Sequence, residues 1–329
     1  VETAIETQVR AMSDGGIAAI GGVALSSRAF IADLYELRDF RPIWDTPQRR
    51  AELSAELTAA TRQGFRPEDF ATEDLAALAA VADAGDPGAV AAFDIAATEA
   101  AARLLRDLYY GKVDPATLDP DWGLEATFQP GDPAAMVNQY LEVASFGALV
   151  DELQIVHPAY LRMQDGLRQL EDIATRGGWP QVPDGAVLKP GMEDPRVPVL
   201  RQRLLATGDL SGPTPGDTSY DPQLEAAVKS FQQRHGLEPD GVIGPKSYQA
   251  LNRTVGERID QMRVSLERAR WTLRNLGDDY VFVNIGGAET FYVRDNVTVW
   301  RTRSVVGQAY RKTPLFQDEI EYVEVNPTW

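Results

Sequence analysis

The chain has 329 residues, 44% hydrophobic and 25% charged, enough apolar content for two or three globular cores. Its formal charge of −17 and pI near 4.6 argue against nucleic acid as a partner, because phosphates are bound through clustered Lys and Arg. The absence of cysteine excludes disulfides, zinc–thiolate sites and thiol catalysis within these residues, and no apolar run approaches the roughly 18 residues of a membrane span.

The first residues, VETAIETQVRAM, form a short helical pattern without the basic start and apolar stretch of an export signal, so any such signal is expected to have been removed already. Residues 13–22 (SDGGIAAIGG) read as a flexible joint, giving a first segment of 1–22 whose helix is independently placed. A helical region of 23–190 follows. Within it, 27–38, 47–63, 71–84, 87–110 and 158–175 are rich in Ala, Leu and Glu with apolar residues three and four apart. Gly/Pro/Asp clusters at 85–88, 111–120, 129–133 and 177–191 punctuate these helices, and the last reads as a linker.

Residues 191–253 have a different texture. Val197, Leu200, Leu204 and Leu205 recur at helical spacing, as do Leu224, Ala227, Val228 and Phe231. Asp221 followed by Pro222 opens the second helix with a side-chain acceptor and a residue that lacks an N–H. Gly236 stops it, the DGVIGP turn of residues 240–245 follows, and Pro245 begins a third short helix carrying Tyr248 and Leu251. The segment 254–329 opens on a long helix (254–276) with Ile259, Met262, Leu266, Ala269, Leu273 and Leu276 on one face, ended by Gly277. The period then changes to that of strands at 280–285, 290–294, 297–306 and 319–325. The predicted class is mainly α with a smaller, partial β region. About four strands with an uncovered edge suggest a β-domain cut short at Trp329.

Three short helices closed by a DGVIGP turn resemble a type 1 peptidoglycan-binding domain. The order of parts carries a second resemblance: LYELRDFRPIW, GKVDP, HPAYLRMQDGLRQL, GGWP and LKPGMEDPRV, then the small helical unit, then RIDQMRVSLERARW, YVFVNI, VVGQAYRKTPLF and NPTW. This order is similar to the N-terminal part of a large Gram-negative L,D-transpeptidase with a YkuD-type catalytic β-domain. The resemblance implies a periplasmic, exported protein of cell wall biogenesis. In it, a cysteine acylated by one stem peptide passes the acyl group to a second, forming 3→3 peptidoglycan cross-links. The family's Ser-His-Gly-Cys-type segment has no counterpart here. These residues are therefore expected to bind glycan strands and stem peptides without transferase activity, with no catalytic residue, metal or cofactor. A carbapenem is expected to bind only where the catalytic half is present. Two other readings stay open: a non-catalytic wall-binding or adaptor protein, and another wall enzyme carrying the same binding domain.

Arg234, His235, Asp240, Gly241 and Gly244 are the candidate peptidoglycan contacts, with helix capping and turn geometry as the competing explanation. His235 at a helix end suits the dipole as a cation. Arg301, Arg303, Arg311 and Lys312 form a local basic patch suited to docking carboxylates, or simply a solvated face. His157 before Pro158 reads as a cap or packing residue. Trp44, Trp122 and Trp179 read as packing between helices rather than sugar platforms, and Trp271 and Trp300 as core. The acidic pairs Glu68/Asp69, Glu73/Asp74 and Glu171/Asp172 read as solvated helix faces. Two histidines 78 positions apart offer no zinc pattern.

Overall fold

The computed structural model describes residues 1–118, 122–123, 132–212, 216–274, 276–308 and 310–324. It divides into two units. One comprises residues 1–161, 266–282 and 290–329, the other residues 162–265 and 283–289.

In the larger unit, α1 (Glu2–Ser13) buries Ile5, Val9 and Met12, spaced four and three apart, in the same core as the helices that follow. The glycines expected to loosen residues 13–22 instead turn a small antiparallel hairpin, β1 (Ala19–Ile20) with β2 (Val23–Ala24). Gly21 and Gly22 take φ of 54° and 93°, and a Cβ on either would strike Leu78 or Asp74. Next come α2 (Arg28–Leu37), α3 (Pro47–Ala59) with Thr46 accepting from the Arg49 N–H, and two 3₁₀ turns at 60–63 and 67–70. Then α4 (Thr72–Ala82) leads to the 24-residue α5 (Pro87–Tyr110). Helix α5 is buried on most sides, and Ala91, Ala96, Ala97 and Ala100 let its neighbours approach closely.

A short strand, β3 (Trp122–Gly123), precedes two helices that the sequence reading passed over, α6 (Pro133–Val143) and α7 (Phe146–Leu153). Their signals were present. Asp132 caps α6 ahead of Pro133, with Ala134, Val137 and Leu141 buried at helical spacing, and Ser145 caps α7 by accepting from the Ala148 N–H. The segment 129–133, read as loop, is described only from residue 132, the cap of α6.

Two buried carboxylates on α5 hold the loops around it. Asp94, 1% exposed, accepts from the backbone N–H of Ile43 (2.9 Å) and Trp44 (2.8 Å) and from the Tyr35 hydroxyl (2.5 Å). One turn later Thr98 accepts from the Trp44 indole at 3.1 Å. Glu99, fully buried, accepts from the N–H groups of Ser26 and Ser27 and from Arg103. The LYELRDFRPIW segment is thus pinned around Tyr35 and Trp44, with Asp39 and Phe40 in the left-handed region where α2 ends. Burial pushes the Asp94 carboxyl up against the pull of its donors.

Helix α8 (Pro158–Thr175) opens with His157 Nδ1 accepting the Ala159 N–H at 3.2 Å, a capping role. The expected linker is not loose: Val182 exchanges two hydrogen bonds with the Asn252 amide, and Leu188 pairs its backbone with Ile243. Helices α9 (Val197–Ala206), α10 (Pro222–Arg234) and α11 (Pro245–Leu251) close the second core, built from Leu188, Val197, Leu200, Leu204, Leu224, Val228, Phe231, Ile243 and Leu251.

Helix α12 (Val255–Leu273) follows, and its last turns belong to the larger unit. There Arg270 donates to the Gln63 carbonyl and lies 4.2 Å from the Phe65 ring, while Glu267 accepts the N–H groups of Lys112 (2.6 Å) and Val113 (3.1 Å). Strands β4 (Tyr280–Asn284), β5 (Glu289–Arg294) and β6 (Val297–Arg303) form a three-stranded sheet in that order. Asp295 and Asn296, both at positive φ, make the tight β5–β6 turn. β7 (Leu315–Phe316) pairs in parallel with β3.

The chain is mostly helical with a small sheet region, as its composition suggested. Two corrections apply within that frame. Residues 319–324 form no strand, because among the described residues no neighbouring strand pairs with their backbone, and the expected strand's last residue, Val325, lies outside the described residues. The NPTW segment also lies outside them. Trp300 is 54% exposed on β6 rather than core, since residues 297–301 are exposed without alternation.

Candidate functional site: a basic cleft in the small helical unit

The unit's turns are fixed by polar side chains reaching backbone. Asp221 caps α10 by accepting the Leu224 N–H at 2.8 Å and pairs with Arg201 at 2.9 Å. Gln232, 1% exposed, spans the DGVIGP turn: its Nε2 donates to Asp240 Oδ1 and the Val242 carbonyl at 3.0 Å, and its Oε1 accepts the Gly241 N–H at 2.9 Å. Tyr220 donates to the Gly241 carbonyl at 2.6 Å. Arg196 clamps Asp194 with two 2.8 Å bonds and also reaches the Ala186 carbonyl, and the Arg196 bonds hold the Asp194 carboxyl down to about 2.

The predicted site residues separate into three groups. Asp240 and Gly241 are turn residues. Asp240 Oδ1 accepts the Val242 N–H at 2.8 Å, and Gly241 sits at φ 76°, where a Cβ would meet Glu225 and Lys229. Gly244 has extended backbone with open space where a Cβ would stand, so turn geometry does not demand glycine there. It lines a cleft of about 680 Å³ with Asp184, Tyr248 and Asn252.

Arg234 and His235 line a different cleft of about 740 Å³, walled by α8, α9, α10, α11 and the first half of α12. Arg234 pairs with Asp209, itself nearly buried, at 2.6 Å. His235 caps α10 with its ring stacked on Phe231 at 4.0 Å and its Nδ1 3.1 Å from the Phe231 carbonyl. Burial, with Arg234 and Arg258 nearby, pushes the imidazole down to about 4. It is therefore neutral at pH 7 and does not serve as a cation for the helix dipole.

Four further cations line this cleft that sequence reading missed: Arg203, Lys246, Arg253 and Arg258. Arg203 is 1% exposed, donates to the Leu251 carbonyl at 2.7 Å and stacks 4.1 Å from the Trp179 ring. Burial is the main reason its guanidinium is lowered to about 10, and Arg234 and Arg258 add to it. They come from three separate segments, α9, the α11 stretch 246–253 and α12, so no local motif announces them. The available clue was that basic and acidic residues nearly balance between 196 and 263 of a strongly acidic chain.

Arg301, Arg303, Arg311 and Lys312 are all exposed, the first two on one face of β6, with Arg301 5.5 Å from the Phe291 ring. Trp44 packs edge-on against Phe146 at 5.4 Å, and Trp179, 9% exposed, donates its indole N–H to the Arg253 carbonyl. Both are packing residues. The Trp122 side chain lies outside the described residues. Among the described residues no three His, Cys, Asp or Glu side chains gather as a metal site, and no helix is long and apolar enough to cross a membrane.

Comparison with known proteins gives a family match for two regions. Residues 29–167 match the scaffold domain family, and residues 193–251 match the peptidoglycan binding domain family. Among curated proteins, the chain is 36% identical over 67 residues to the N-acetylmuramoyl-L-alanine amidase CwlL of Bacillus licheniformis, covering 20% of this chain and 19% of that protein. It is 35% identical over 80 residues to the amidase CwlM of Mycobacterium tuberculosis, covering 22% and 20%. The chain thus spans about a fifth of the length of the curated relatives it matches. It carries a peptidoglycan-binding domain over residues 193–251.

Proposed function

We propose that this chain is the scaffold and wall-anchoring portion of a periplasmic peptidoglycan L,D-transpeptidase, holding the polymer while a cysteine-bearing catalytic domain forms 3→3 cross-links. The observation that carries the reading is the order of parts: a scaffold-domain match at 29–167, a peptidoglycan-binding match at 193–251, then a long helix leading into strands. The division proposed is 1–22, 23–190, 191–253 and 254–329. With no cysteine in the sequence, acyl transfer through a thiolate is not carried by these 329 residues. Arg234, His235 and Gly244 are proposed as wall contacts, and Asp240 and Gly241 as the turn that positions them. Arg301, Arg303, Arg311 and Lys312 are proposed as a docking patch for stem carboxylates.

The wall-binding part is tested by sedimenting the purified chain with peptidoglycan sacculi. It should pellet with them, and a chain that stays in the supernatant at high sacculus concentration sinks the reading. The transpeptidase part is tested by the coding sequence beyond Trp329. A Ser-His-Gly-Cys-type segment there supports it, and an open reading frame without one removes it. A second reading, another wall enzyme using the same binding domain, draws support from the similarity to two amidases. An amidase domain in that same frame would favour it.

A further inference from the structure

The cleft of the small unit is chemically one-sided. Arg203, Arg234, Lys246, Arg253 and Arg258 line it together with His235, and no Asp or Glu is among its lining residues, in a chain whose formal charge is −17. Two carboxylates beside it offset part of the charge: Asp209 holds Arg234, and Glu257 pairs with Arg253 at 3.1 Å. Arg258 spends its bonds on the Ala250 carbonyl and Gln261, and Lys246 is exposed with no carboxylate partner among the described residues. A net excess of positive charge therefore faces a cavity of about 740 Å³. The guanidinium of Arg258 is lowered by burial and by the like charges of Arg253 and Arg234, with Glu257 pulling the other way.

The aromatic content points the same way. The one indole of the cleft, Trp179, is occupied by the Arg203 stack and its bond to the Arg253 carbonyl, so it offers no free face to a pyranose ring. Neutral N-acetylated sugars would find few partners here, whereas carboxylates would find several preplaced guanidinium and ammonium donors. In peptidoglycan the negative charge resides on the peptides. We propose that this cleft binds the free carboxylates of peptidoglycan stem peptides, so that the small unit recognises the peptide part of the wall rather than its glycan strand. The assignment rests on the wall-binding reading above and specifies its ligand.

The test uses the whole chain and three soluble probes: muropeptides with free stem carboxylates, the same muropeptides amidated, and a neutral N-acetylglucosamine tetramer. Free-carboxylate muropeptides should bind. Amidation, or the double substitution Lys246→Glu with Arg253→Gln at one exposed and one half-buried position, should each weaken binding about tenfold or more, because charge-assisted contacts are lost. Lys246→Arg should bind like the parent, and affinity should fall with salt. Equal binding of amidated muropeptides, undiminished binding by the double variant, or preference for the tetramer overturns the proposal. So does competition by polyphosphate as effective as that by muropeptides, which would reveal unselective anion binding. If the parent chain still pellets with sacculi in those cases, wall binding stands and only this cleft's role falls. If it does not pellet, both fall.

Discussion

The buried side chains that hold loops on helix α5 and on helix α9 carry opposite charges. Around α5 the anchors are carboxylates: Asp94 and Glu99 sit buried and gather the N–H groups of Ile43, Trp44, Ser26 and Ser27. In the small unit they are guanidiniums: Arg201 donates to the Ser219 carbonyl and Asp221, and Arg203 to the Leu251 carbonyl. A carboxylate can only accept and a guanidinium can only donate, so each suits the backbone groups its loops leave unpaired. The choice has a consequence beyond stability. Acceptor-type anchors enclosed by α5 present no charge to solvent, whereas the donor-type Arg203 stands with four other cations around an open cleft. Local architecture in the second unit thereby supplies binding chemistry.

The largest effect should come from removing an anchor in the first unit. Asp94→Ala leaves two backbone N–H groups without an acceptor and removes the Tyr35–Asp94 bond, and should cost about 3 kcal/mol or more in urea unfolding. A cost under about 1 kcal/mol would show that water replaces the carboxylate and that the anchor idea fails there.

In the second unit, Arg203→Leu keeps apolar bulk but loses the Leu251 bond and the Trp179 stack, and should cost about 2 kcal/mol. A stabilised variant would mean that the cation is retained for binding alone.

Two glycines sharpen the comparison within one turn. Gly241→Ala should destabilise by about 1–2 kcal/mol, because of its left-handed φ and the approach of Glu225 and Lys229. Gly244→Ala should be neutral within about 0.5 kcal/mol, having extended backbone and open space. Equal costs at the two sites would refute this account of the turn.

The smallest effect concerns pH. His235 is depressed to about 4 in the folded chain, so the unfolded chain takes up that proton first. Its contribution to stability is full above the ordinary imidazole value of about 6.5 and declines as pH falls toward 4. His235→Gln should flatten this part of the stability profile, and an unchanged slope between pH 6.5 and 4 would assign it to other groups.

The sequence by itself determined the helices, because periodic apolar residues, Asp or Thr caps and Pro at the first turn are local signals read over a few residues. Helices α2, α5, α8, α10 and α11 begin and end close to where those signals place them. It also determined the small wall-binding unit, since Asp221, Gly236 and the DGVIGP turn act within one short stretch. Tertiary structure decided where the backbone donors and acceptors left by loops find partners. Asp94 and Ile43 are 51 positions apart, and Arg203 and Leu251 are 48 apart. It likewise turned the Gly21–Gly22 joint into a hairpin and folded residues 182–188 into the small core. The cleft belongs to this second kind of fact. Its five cations come from four segments, each unremarkable alone, and only the packing of α9 to α12 sums their charges over one cavity.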